Sequence, residues 1–88
     1  MDTPNFDAMT QEELRDFWAK WHITTKKKAV VVTGERKDAK NIMEVLACYA
    51  INKASAIGLR LQGNINAAMT YEHACELCYG RLPEDVRW

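Results

Sequence analysis

The stretch Asp38–Gln62, "DAKNIMEVLACYAINKASAIGLRLQ", decides the fold. Asp38 stands where an N-cap belongs, and Gly63 follows where a helix of this kind stops. Between them Ile42, Met43, Leu46, Ala50, Ala54, Ile57 and Leu61 recur at helical spacing, which predicts one long helix from Asp38 to about Leu61. Gly58 sits inside it and costs about 1 kcal/mol against alanine, so it marks a kink or a close approach. Val45, Tyr49, Ala56 and Leu59 define a second apolar arc beside the main stripe. A helix that is apolar nearly all round is covered on most sides. Two short flanking helices cover one face well, so the second arc is the expected surface for another copy of the chain. Small residues at Ala47, Ala50, Ala54 and Gly58 allow a close backbone approach.

Outward from that element, "MTQEELRDFWAKWH" predicts a helix from about Gln11 to Ile23. Thr10 and Glu13 have the spacing of a capping box, and Met9 and Leu14 that of a hydrophobic staple. Leu14, Phe17, Trp18 and Trp21 share one face. On the other side, Asn64 or Asn66 starts a last helix to about Tyr79, with Ala67, Ala68, Tyr71, Ala74, Cys75, Cys78 and Leu82 turned inward. Gly80 and Pro83 end it. Residues 1–9 read as an arm, and 81–88 as a tail that docks back or hangs free. The expected fold is all-α: a small bundle of three main helices, the long one in the middle, forming a single domain over residues 1–88.

The connector "KKKAVVVTGERKDAKN", Lys26–Asn41, is the one ambiguous piece. Its valines favour a strand, but no second β-rich run exists to pair with it. A short helix at 26–33 or an irregular connector is the expectation. Gly34 and Lys40 match two positions of a phosphate-binding loop, yet Ala39 replaces the second glycine and Asn41 the Ser/Thr. The β-α-β context is missing too, so that reading is rejected. A phosphate backbone suits Lys26, Lys27, Lys28, Arg36, Lys37 and Lys40 better, each contact gaining by counterion release. No aromatic residue interleaves with these bases, and no helix presents Arg, Asn or Gln toward base edges.

"HACELC" resembles metal ligation at first sight, but His73 points about 200° away from Cys75 around a helix. Two thiolates do not close a zinc site, so Cys48, Cys75 and Cys78 read as core residues and no metal or other cofactor is expected. Neither histidine has an evident partner to set its pKa. Glu72 and Glu76 form an i, i+4 acidic pair on a polar face, and no second carboxylate pair faces them. The chain is therefore not expected to be an enzyme.

With 88 residues, 12 basic and 12 acidic side chains, the protein is neutral overall. The charge is uneven. Five acids against Arg15 dominate residues 1–19, and seven bases against Glu35 and Asp38 dominate residues 20–40. Three cysteines make no disulfide framework, and no secretion signal, lipidation motif or unbroken apolar run of ~20 residues is readable. A reducing cytoplasm, with no membrane partner, is the expectation. The segments "MTQEELRDFWAKWH", "YAINKASAIG" and "LPEDVRW" resemble those of small uncharacterised proteins carried by tailed phages and marine environmental sequences. That resemblance implies a bacterial cytoplasm during infection and carries no catalytic or binding residue. The expected function is a non-enzymatic interaction or assembly module, a homo-oligomer (a dimer first) using Val45, Tyr49, Ala56 and Leu59. The alternative is a small nucleic-acid-binding accessory protein using the basic segment 26–40.

Overall fold

A capping box opens the first helix. Thr10 Oγ1 accepts from the Glu13 backbone N–H, and Glu13 Oε1 accepts from the Thr10 N–H, each at 3.2 Å. The resulting helix, α1, runs Gln11–Trp21, and α2 runs Ala39–Leu61 and α3 Ile65–Gly80. Short 3-10 turns at Phe6–Ala8 and Glu84–Val86 flank these helices. The computed structural model describes residues 4–21 and 36–88, and the possible short helix at 26–33 lies outside them. Among the described residues the fold is all-α, three helices with the long one central and no strand.

α2 begins at Asp38, although not as a side-chain cap. The Asp38 carboxylate instead takes both arms of the Arg36 guanidinium, at 2.9 and 3.1 Å. Its far end is a Schellman motif. Gly63 N–H donates to Arg60 O at 3.0 Å, Asn64 N–H donates to Leu59 O at 2.9 Å, and Gly63 adopts φ +80°. Asn64 then caps α3, its Oδ1 accepting from the Ala67 N–H at 3.4 Å. Three residues thus close one helix and open the next, and α2 and α3 pack as an αα-hairpin.

α2 is the middle element. Its buried positions run from Val45 and Ala56 through Tyr49, Ile42, Leu46 and Ala50 to Ala54 and Ala47, roughly 200° of its circumference at 100° per residue. α1 covers one edge of that arc: Leu14 is fully buried, and Gln11 Nε2 donates to the Ala54 carbonyl at 2.9 Å. α3 covers the other edge, where the Cys75 thiol lies 3.8 Å from the Tyr49 carbonyl oxygen. The N-terminal arm and the tail close the remainder, with Phe6, Leu82 and Val86 buried among the core residues. By length and a mean hydropathy of 1.3, α2 is long and apolar enough to cross a membrane, and half of that window is buried inside the fold.

The arc Val45–Tyr49–Ala56–Leu59 requires a correction. Val45, Tyr49 and Ala56 are buried within the single chain and Leu59 is half-buried, so they are not the open surface expected of a dimer contact. The expectation gave the cover of this face to a second copy, whereas within the chain the arm and the tail reach it, Phe6 and Trp88 packing against Tyr49.

Gly58 proves to be a close approach. A Cβ there would lie 2.6 Å from Gln11 Nε2. Gly58→Ala is expected to gain about 1 kcal/mol of helix propensity and to lose much of it by displacing that amide from Ala54 O. In a Gln11→Ala background the same change should show the full gain, so a urea double-mutant cycle reads the coupling directly. Gly63→Ala should cost about 1–2 kcal/mol, because its left-handed φ suits glycine. Gly80→Ala, in open space with no such φ, should cost nothing.

Candidate functional site

Two features compete for the role of a functional site: a polar cleft beside the arm and the tail, and the outer face of α3.

The cleft measures about 500 Å³ and is lined by Asp7, Lys53, Glu72, Glu76, Tyr79 and Trp88 among others. Asn5 organises its entrance, its Oδ1 accepting from the Asp7 N–H at 3.1 Å to start the turn that carries Phe6 inward and Asp7 outward. Asp7 then collects three donors. Tyr49 Oη donates to Oδ1 at 2.6 Å, Trp88 Nε1 donates to Oδ2 at 2.8 Å, and Lys53 Nζ lies 3.1 Å from Oδ1. One carboxylate therefore joins the arm, the central helix and the tail. Around it the rings of Phe6, Phe17, Tyr49, Tyr79 and Trp88 meet mostly edge to face, with centroids 4.8–5.7 Å apart. Tyr79 Oη fixes the tail further by donating to the Trp88 carbonyl at 2.6 Å.

These contacts lock charge states. Burial alone would raise the Asp7 carboxyl, but hydrogen bonds from Trp88, Tyr49 and Lys53 outweigh it and hold the group below its ordinary value. Burial, then the Asp7 acceptor, pushes the Tyr49 phenol far above its usual range. Glu72 is held low by the bidentate guanidinium of Arg60. Asp7 and Glu72 are thereby held as carboxylates and Tyr49 as a neutral phenol. The cleft is a joint between chain segments.

The outer face of α3 is different. Ala68, Cys75 and Cys78 face α2, while Ile65, Met69 and Leu77 span roughly 120° on the opposite side. They are 44%, 56% and 60% exposed, and Leu61, at the hairpin end, is 79% exposed. His73 and Glu76 lie among them as a loose pair, Nδ1 to Oε2 3.7 Å. Among the described residues this is an unpartnered apolar helix face.

The basic segment is only partly in view. Lys26, Lys27 and Lys28 lie outside the described residues. Arg36 is engaged by Asp38 and Asp85, which leaves Lys37 and Lys40 as its exposed described cations. Cys75 and Cys78 are buried and Cys48 is exposed, and among the described residues no group of three or more His, Cys, Asp or Glu is placed to hold a metal ion. Sequence reasoning missed Phe6, Asp7 and Trp88, which lay in segments read as arm and tail. It also missed the outer face of α3, although Ile65, Met69 and Leu77 at i, i+4, i+12 were a readable signal.

Compared with protein-family models, with curated proteins and with solved structures, the chain matches none.

Asp7 generates a pH prediction. A carboxylate held low in the fold contributes stability that is fully present above its unfolded value, near 3.9, and is lost as pH falls through the folded one. Asp7→Asn should therefore flatten the acid limb of a stability–pH curve below about pH 4. At pH 7 it should cost about 1 kcal/mol, a half-exposed charged cluster being discounted for screening.

Proposed function

We propose that this chain is a non-enzymatic helical interaction module that self-associates through the outer face of α3. One observation carries the reading: Ile65, Met69 and Leu77 are large, apolar and about half exposed on one side of a single helix. Removing such area from water gains about 25 cal/mol per Å². Two copies do not repel each other, since the chain is neutral. Antiparallel pairing of α3 about a twofold axis brings Ile65 of each copy opposite Leu77 of the other, with Met69 and His73 between them. The same patch then serves both sides, as an isologous contact requires.

The size of this face sets the strength. Sixteen residues make α3 about 24 Å long. A single helix face of that length belongs to the small, transient class of interface, under about 1,200 Å² in total. A rapid monomer–dimer equilibrium of micromolar or weaker affinity follows. The three unpaired thiols suit a reducing compartment, and we infer a cytoplasmic setting.

Sedimentation equilibrium across a concentration series tests the reading. The average mass should climb from 10.1 kDa toward twice that value. Met69→Glu and Leu77→Glu should each hold the protein at the monomer mass with its helical circular dichroism unchanged. His73→Leu, which completes the apolar row 65–69–73–77, should tighten association several-fold. A wild-type chain that stays monomeric at high micromolar concentration sinks the proposal.

A further inference from the structure

The second feature with chemistry of its own lies on the far edge of the α2–α3 contact. Cys48 is exposed on α2, and Cys78 is buried on the face of α3 that packs against α2. The contact between the Cys75 thiol and the Tyr49 carbonyl fixes the register of the two antiparallel helices. One turn further along α3, the chain returns to the turn of α2 that holds Cys48, and there the two side chains come close enough to interact. Asn52, one turn after Cys48, is clamped over the pair. Its Nδ2 donates to the Cys48 carbonyl at 2.9 Å and to Cys48 Sγ at 3.4 Å, and it also reaches Cys78. Arg81 adds a positive charge near Cys78. At Cys78 the amide and the cation both pull the thiol down, but burial outweighs them.

We propose that Cys48 and Cys78 are a thiol–disulfide exchange pair, converted by a small disulfide such as oxidised glutathione into an intramolecular bond across α2 and α3. In the first step the Cys48 thiolate attacks one sulfur of the small disulfide. Its S–S bond breaks, and one small thiolate leaves and takes up a proton. In the second step the Cys78 sulfur, losing its proton, attacks Cys48 Sγ and expels the second small thiol. Two electrons pass from the protein dithiol to the small disulfide, and both protons end on the released thiols. Roles follow from access. Cys48 meets the oxidant because it is at the surface, whereas burial pushes the Cys78 thiol up to about 11 and assigns it the resolving step. Cys75 takes no part. It is buried, its thiol is directed at the Tyr49 carbonyl, and burial pushes it up to about 11 as well. In a reducing compartment such a bond is transient, formed under oxidative load and reversed by thiols.

The experiment treats the folded, reduced full chain with oxidised glutathione at low protein concentration and follows intact mass. The expected course is a brief adduct of one glutathione, then a monomer lighter than the reduced chain by two hydrogens, restored by dithiothreitol. Peptide mapping should place the bond at Cys48–Cys78, and the oxidised chain should unfold at a higher urea concentration than the reduced one. Cys78→Ser should stall at the glutathione adduct on Cys48, Cys48→Ser should form neither species at the wild-type rate, and Cys75→Ser should behave as wild type. If a serine variant fails to fold, alkylation mapping of the wild type alone still decides. A lasting adduct with no internal bond, a bond involving Cys75, a Cys48–Cys48 link between chains, or no product at all overturns the proposal.

Discussion

A helix with roughly 200° of buried circumference cannot be sheltered by one neighbour, and this constraint organises everything else in the chain. A packed helix covers only one side of its partner, so α2 needs α1 on one edge, α3 on the other and further cover between them. The 3-10 turns at either end of the chain supply that cover. Phe6 enters from the arm and Leu82 and Val86 from the tail, and all three are buried in the same core. Small domains have little apolar area to spare, and this one draws even its termini into the core.

Termini placed in a core must be held there, because a free end regains conformational entropy at no cost in contacts. Asp7 holds both. Its carboxylate takes Trp88 from the tail and Tyr49 and Lys53 from α2, while its own backbone stands in the turn that buries Phe6. Charge-assisted hydrogen bonds in a partly dried cleft are stronger than their surface counterparts. Edge-to-face packing of the aromatic rings fixes the angle at which Trp88 arrives. The cleft thus looks like a site and acts as a clasp.

What was legible in the sequence follows the range of each interaction. The capping box of Thr10 and Glu13, the stop at Gly63 and the cap at Asn64 are local features found in the fold, and of the periodic inward set Ala68, Cys75, Cys78 and Leu82 are buried, Ala67 and Ala74 half-buried and Tyr71 exposed. The three-helix architecture rests on them. Asp7 and Trp88 are 81 residues apart in sequence, and nothing local marks either as a partner of the other. The surplus apolar circumference was assigned to α2 for the same reason. A projection of one helix reports how much cover it needs, but not how much the remote ends of the chain bring. Tyr49 went to the core by that route, with Phe6 and Trp88 against its ring.

The surplus itself did not vanish; it moved to α3. That helix carries apolar side chains on two opposite arcs, and the first, facing α2, is satisfied by small residues that allow close approach. Alanines and cysteines on that arc let the hairpin pack tightly, so the longer side chains of Ile65, Met69 and Leu77 are left for the other side. A helix whose sole duty was to cover α2 would gain solubility from polar residues at those three positions. Large apolar groups there instead cost hydration free energy in the chain alone, which the proposed association would recover. The close packing of the inner arc and the exposure of the outer one are therefore two consequences of a single distribution: small residues inward, large ones outward, on the helix that ends the bundle.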